Sequence, residues 1–143
     1  QFDFLQSLGA RQCISRHGLH WGQRPLETPR WGGAIDNVGG EMLDGLTRVI
    51  QPYGCIASCG LTGGHELHST VMPFIIRGVS LLGIAPAGTA HDIRRQVWER
   101  LASDWKPAHL ERIATREVGL DGLPDVFATM LAGNSFGRTV VAL

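Results

Sequence analysis

Residues 32–64 read GGAIDNVGGEMLDGLTRVIQPYGCIASCGLTGG, and this stretch decides the fold. Gly32 to Gly39 is a short apolar run ending in polar residues and glycine, the pattern of a buried parallel strand that finishes at a loop. In Glu41 to Ile50 the apolar positions Met42, Leu43, Leu46, Val49 and Ile50 recur at intervals of three and four. That spacing predicts an amphipathic helix, stopped by Pro52 and Gly54. Cys55 to Cys59 then reads as a second strand, and Gly60-Leu61-Thr62-Gly63-Gly64 as the loop that leaves it. Strand, helix and strand joined by short turns predict a parallel pair with a crossover helix.

The alternation continues outward in both directions. Downstream, Val71 to Arg77 is a short helix with Pro73 in its first turn, where a missing N–H does little harm. Val79 to Ala85 is a third apolar strand. Thr89 to Trp105 is the longest helix, with Thr89 and Asp92 as a capping box and Ile93, Val97, Leu101 and Trp105 along one face. Glu117-Val118 forms a short strand, residues 119–124 a turn, Val126 to Leu131 a small helix, and Gly137 to Leu143 a closing strand. Upstream, Phe2 to Leu8 is a helix ended by Gly9, Arg11 to Ser15 a short strand, and residues 16–30 a surface loop. The sequence therefore predicts one α/β domain built on a doubly wound parallel sheet.

Composition narrows the function. Thirteen Lys and Arg balance thirteen Asp and Glu over 143 residues, so the formal charge is zero. A nucleic-acid partner or an anionic membrane surface calls for clustered excess cations, and neither is expected here. At 43% hydrophobic and 18% charged residues, the chain is a folding composition, not a disordered one. No apolar run approaches the roughly 18 residues that span a bilayer, and no signal peptide is visible. The three cysteines, Cys13, Cys55 and Cys59, are an odd number, as expected of reduced thiols in a cytoplasmic protein. On one strand, Cys55 and Cys59 would lie about 13 Å apart, too far for a disulfide. All three are expected to be buried free thiols.

Parallel α/β sheets bind ligands at the carboxyl ends of their strands. Three segments leave such ends: Asp36-Asn37-Val38-Gly39, Gly60 to Gly64, and Gly83 to Gly88. Their glycines allow close backbone approach to a flat or anionic ligand, or serve only as turns. No G-x-G-x-x-G fingerprint occurs. The pairs His17/His20 and His65/His68 do not make a zinc motif, because His65-Glu66-Leu67-His68 is one residue short of H-E-x-x-H. No metal is expected. Ser58 and Cys59 lack the context of an acyl-enzyme nucleophile. Asp36 is either a ligand group or the cap of the following turn. Arg94, Arg95 and Arg100 read as a solvated helix face. Arg138, at the mouth of the last strand, is an anion contact or a surface ion pair.

Three stretches carry a resemblance: WGGAIDNVGGEML at 31–43, GCIASCGLTGGHELHSTVMPFIIRGVSLLGI at 54–84 and GRTVVAL at 137–143. Together they resemble the medium-chain dehydrogenase/reductase superfamily, and more narrowly its zinc-free branch of NADPH-dependent acryloyl-CoA reductases and quinone oxidoreductases. The resemblance runs from residues 7–10 to the C-terminus. It implies that residues 1–143 are the C-terminal part of an NAD(P)-binding Rossmann domain, an incomplete Rossmann-like sheet whose N-terminal GroES-like catalytic domain is absent. By position it implies cofactor contacts at Asp36, Asn37, Val38 and Gly39, at Gly60, Leu61 and onward to Leu67, at Leu81 and at Arg138. The implied cofactor is NADP and the implied substrate a small enoyl-CoA or quinone. The implied reaction is hydride transfer to the β-carbon of an enoyl thioester, with no catalytic acid assigned in this chain.

The Rossmann order 3-2-1-4-5-6 leaves Arg11 to Ser15 without neighbours and makes Ala34 to Val38 an open apolar edge. Dimers of the superfamily commonly join through the strand at Val79 to Ala85. The resemblance thus predicts a chain that is inactive alone and forms homo-oligomers through sheet edges. The alternative is a non-catalytic nucleotide-binding or dimerisation module.

Overall fold

A computed structural model describes the whole chain, residues 1–143. In chain order the elements are α1 (Phe2–Ser7), β1 (Trp31–Asp36), α2 (Gly40–Val49), β2 (Ile50–Ser58), α3 (Met72–Arg77), β3 (Ser80–Gly83), α4 (His91–Ala102), α5 (Leu110–Ile113), β4 (Ala114–Val118), α6 (Leu123–Leu131) and β5 (Arg138–Val141). Short 3-10 turns lie at Arg16–Gly18 and Leu120–Gly122. The residues group into two compact units, Arg16–Thr89 and Gln1–Ser15 with Ala90–Leu143.

The first unit holds a three-stranded parallel sheet in the order β1-β2-β3. Ala34, Ile35 and Asp36 pair with Ile56, Ala57 and Ser58, while Ile56, Ala57 and Ser58 pair onward with Leu81, Leu82 and Gly83. Side chains alternate across the sheet, so Ile56 and Leu81 share a face. That face packs on α2, whose Leu43 and Leu46 join Ile50 and Ile56 of β2 and Val79 in one core cluster. Each such side chain contributes about 1.5–3 kcal/mol by leaving water. The helical spacing read from the sequence is therefore the core itself.

Gly45 has a distinct role on α2, because the indole of Trp21 lies where its Cβ would be. Trp21 in turn meets Trp31 edge-to-face at 5.8 Å. The loop before β1 is thus laid flat on the helix through a glycine notch.

The ladder between β1 and β2 is interrupted. Trp31 pairs with Ile50, but Gly33 pairs with Cys55, so residues 51–54 bulge outward. Pro52 has no N–H to donate there, and Tyr53 adopts a left-handed φ of 62°. Only glycine fits at Gly54, since a Cβ would run into the Gly32 carbonyl.

β1 is an edge of this sheet, as expected, and its Ile35 is 83% exposed. Arg11 to Ser15 is not a strand. It has no ladder partner, and a strand exists only by pairing. The capping box at Thr89 does not form either: α4 starts at His91 behind Ala90 with no side-chain cap. The Thr89 hydroxyl instead donates to the Ala85 carbonyl at 3.0 Å, closing the preceding turn.

The second unit shows a further departure from a single sheet. β4 and β5 pair with each other in parallel, Glu117 with Val140 and Val118 with Val141, and share no ladder with β1–β3. α6 makes the crossover between them and buries Val126. Phe4 of α1 meets Phe136 edge-to-face at 5.3 Å, and Arg112 donates to the Ser7 carbonyl at 2.8 Å. No helix of the chain is long and apolar enough to cross a membrane.

Candidate functional site

Because β1, β2 and β3 are parallel, their carboxyl ends open on one side, and the loops leaving them meet there. The first loop is set by Asp36. Its side chain is 2% exposed, with Oδ1 accepting from the Val38 and Gly39 N–H groups at 3.1 Å each and Oδ2 accepting from Gly39 at 3.1 Å. The Ser58 hydroxyl donates to Oδ2 at 3.5 Å. The Asp36 carbonyl accepts from the Cys59 N–H at 2.8 Å and from its thiol at 3.4 Å, which joins the ends of β1 and β2.

The two glycine loops then lie backbone against backbone. Gly39 and Gly64 form a parallel bridge, and the Gly63 N–H donates to the Val38 carbonyl at 2.7 Å. Gly39 sits at φ 70° and ψ −162°, a conformation essentially restricted to glycine. A Cβ on Gly39 would strike the Gly64 carbonyl, and one on Gly60 the Asn37 carbonyl. Glycine is required here by close approach as well as by conformation.

Between these loops lies an open cleft of about 270 Å³, lined by Gly39, Gly60, Gly64, Ser58, Cys59 and Ile84, with His65 and Glu66 at its side. No Lys or Arg lines it. Its acidic lining residue is Glu66, beside His65, and Asp36 lies beneath the loop. Such a surface accepts a flat neutral or cationic group and disfavours a phosphate. The N-terminus of α2, where a phosphate could otherwise sit, has the Asp36 carboxylate on the Gly39 N–H and Glu41 in its first turn.

The structure brings Gly39, Gly60 and Leu61 together in the cleft, with Leu61 exposed. Asp36 supports the loop from within; Asn37 is exposed and Val38 half-buried. Leu67 is exposed on a strap fixed to α2: the His68 N–H donates to Asp44 Oδ1 at 2.7 Å, and Thr47 and Ser69 share a hydrogen bond of 2.9 Å. Leu81 packs against the core cluster, and the cleft residue beyond β3 is Ile84. Arg138 belongs to the other unit, where it is exposed at the start of β5 opposite Ala114.

Ser58 and Cys59 escaped the sequence reading of the cleft, whereas Ile84 lies in the Gly83 to Gly88 segment expected at a strand end. The signal for Ser58 and Cys59 was position alone, the last residues of an apolar run that faces the strand ends. The expectation of three buried thiols is corrected: Cys13 and Cys55 are half-buried and Cys59 is exposed. Cys59 lies one residue past the ladder, in the lining of the open cleft. No group of three or more His, Cys, Asp or Glu side chains is placed to hold a metal ion.

The opposite end of the sheet is braced by guanidinium groups. Arg77, at the end of α3, donates to the carbonyls of Glu27, Arg48 (2.9 Å) and Ile50 (3.3 Å). Arg48 donates to the Gly22 carbonyl at 2.7 Å. Glu27 accepts from the N–H groups of Gln23 and Arg24 and pairs with the Arg24 guanidinium at 2.8 Å. The hydrogen bond from that guanidinium holds the Glu27 carboxyl down to about 2.

Known proteins share this fold. The chain is 45% identical over 142 residues to a Bacillus subtilis protein named as a quinone oxidoreductase, YhfP, covering 99% of this chain and 43% of that one. It is 40% identical over 140 residues to the acrylyl-CoA reductase AcuI of Ruegeria pomeroyi, covering 97% and 42%. The crystal structure of YhfP with NAD bound superposes with a TM-score of 0.92 over 99% of this chain, and E. coli YhdH with bound NADPH with a TM-score of 0.86 at 38% identity over 98% of this chain and 43% of that one. The chain thus spans less than half the length of the relatives it matches. No family model matches it. It is homologous over nearly its whole length to one segment of these oxidoreductases and has their parallel α/β, Rossmann-like fold.

Proposed function

We propose that this chain is part of an NADPH-dependent oxidoreductase that delivers hydride to an enoyl thioester of the acryloyl-CoA kind, or to a quinone. Its own share of that work is to seat the nicotinamide end of the cofactor. The cleft carries this reading: it opens at the carboxyl ends of three parallel strands, is floored by glycine backbone, and has Glu66 but no Lys or Arg in its lining. A nicotinamide ring is flat, and cationic when oxidised, so it fits such a surface where a pyrophosphate does not. Identity to YhfP and AcuI supports the reaction class.

The cofactor supplies the hydride when bound. The residues of this chain orient it. Gly39, Gly60 and Gly64 offer bare backbone for close approach, while Ser58, Cys59 and Ile84 form the walls. A proton donor and the choice of substrate are assigned to no residue here. With the matched relatives more than twice as long, the 143 residues alone are expected to bind without turnover.

The decisive experiment is a fluorescence titration with NADPH followed by an oxidation assay with acryloyl-CoA. Saturable binding without turnover is the expected result. Robust turnover would refute inactivity of the isolated chain, and absence of binding would refute the retained cradle. A second reading, a non-catalytic nucleotide-binding or dimerisation module in the cytoplasm, is favoured by one observation, the open edge at β1 with Ile35 exposed. That edge supports homo-oligomers, and gel filtration of Ile35→Lys checks them: the expected result is a smaller species than the parent chain.

A further inference from the structure

We infer that Asp36 is a positioning residue, one that acts on the cofactor cleft proposed above without touching its occupant. Asp36 does not line the cleft. Its carboxylate is spent inward on Val38, Gly39 and the Ser58 hydroxyl, and its carbonyl holds Cys59. Four of the groups it fixes matter for the cleft: Gly39, Ser58 and Cys59 line it, and Val38 accepts from Gly63 in the facing loop. One buried side chain therefore sets the spacing between the loop after β1 and the loop after β2.

The chemistry favours a carboxylate for this task. Both oxygens accept and neither must donate, so one group takes two adjacent backbone N–H groups and a hydroxyl at once. An amide at the same place keeps Oδ1 for Val38 and Gly39 but turns its NH₂ toward a second donor, the Gly39 N–H. A methyl leaves both N–H groups without a partner in a buried place, which the loop relieves by moving. The order of loop fixation is thus Asp36, then Asn, then Ala, and the affinity for the nicotinamide end follows the same order. A role confined to stability would lower the melting temperature in that order and leave the affinity of the folded chain unchanged.

The test uses the 143-residue chain with Asp36→Asn and Asp36→Ala, each read by NADPH titration below its melting transition and by amide exchange at Val38, Gly39 and Cys59. The expected result is NADPH affinity about tenfold weaker in the Asp36→Ala variant and recovered to within about threefold in the Asp36→Asn variant, with exchange at Gly39 accelerating in the same order. If the Asp36→Ala variant does not fold, Asp36→Asn against the parent decides on both readouts. Equal affinity and equal exchange in parent and variants would overturn the inference. If the parent itself binds no NADPH, the cofactor reading fails by itself, and exchange at Val38 and Gly39 decides whether Asp36 sets the loop.

Discussion

Replacing Gly39 with Ala adds a single methyl group and is predicted to damage the molecule more than most removals would. The residue lies at φ 70° and ψ −162°, where a non-glycine residue costs about 1–3 kcal/mol in backbone strain alone. The new Cβ would also strike the Gly64 carbonyl and come to 3.2 Å from Leu61 Cα and 3.3 Å from the Gly60 carbonyl, all of them backbone. These atoms cannot swing aside like a side chain, so the facing loop has to move. Moving it breaks the bridge to Gly64 and loosens the Gly39 N–H from the Asp36 carboxylate, about 1–3 kcal/mol more. The total is about 2–6 kcal/mol, a large share of the 5–15 kcal/mol that stabilises an ordinary domain. Urea unfolding followed by tryptophan fluorescence measures it. Gly83→Ala is the control, since its Cβ meets no atom within 4 Å and is expected to change stability by less than about 1 kcal/mol. A cost below about 1 kcal/mol for Gly39→Ala, indistinguishable from the control, would show that the two loops are not in the contact described.

Glu27 makes the strap before β1 acid-sensitive. Because its carboxyl is held at about 2 against an ordinary 4.5, its contribution is complete above about 4.5 and lost as the pH falls from there toward 2; Trp21 emission should change across that window and Glu27→Gln should abolish the change. Arg77→Ala frees the Arg48 and Ile50 carbonyls at the α2–β2 junction and the Glu27 carbonyl in the loop before β1 and should cost about 1–3 kcal/mol in urea unfolding, with Lys recovering only part because it lacks the planar fork. Gly45→Ala places a methyl inside the Trp21 indole, so the ring must lift from α2; a red shift of its emission with near-parent helix content by circular dichroism is the expected outcome.

The β1–α2–β2 core was legible because its signal is local. Met42, Leu43, Leu46, Val49 and Ile50 fall on one helical stripe, and four of the five are buried. The strand ends that meet at the cleft follow from the same alternation. What escaped depends on partners that a sequence does not place. Arg11 to Ser15 has strand-like residues and nothing to pair with, and β4 with β5 closes locally around α6 and does not extend β3. Asp36 offered two readings because an aspartate at a strand end can turn outward to a ligand or inward to its own loop. The choice rests on the Gly39 N–H and the Ser58 hydroxyl, which only the folded chain brings near. Leu81, where the resemblance implies a cofactor contact, pairs with Ile56 and packs against the core cluster, a placement that follows from the ladder register and not from the residue itself.

The two ends of the three-stranded sheet are held by different chemistry, and this predicts how each responds to mutation. At the amino end the work is shared among Arg48, Arg77 and the Arg24–Glu27 pair, each contributing separate bonds to backbone or side-chain oxygen. Loss of one member leaves the others in place, so damage there should be graded and close to additive for members that share no partner. At the carboxyl end the structure is backbone against backbone, with one buried carboxylate as its support. A surface made of main chain has few side chains to delete: Leu61→Ala removes an exposed group and should leave stability within about 1 kcal/mol of the parent. It has many places where an atom cannot be added, and Gly60→Ala, whose Cβ would meet the Asn37 carbonyl, should be severe, short of Gly39→Ala by the backbone strain that Gly39 alone of the two carries. Stability and NADPH affinity measured on these two variants separate the cases. If Leu61→Ala destabilised the chain as much as Gly60→Ala, the cleft would be held by side chains after all, and the glycines would be ordinary turn residues.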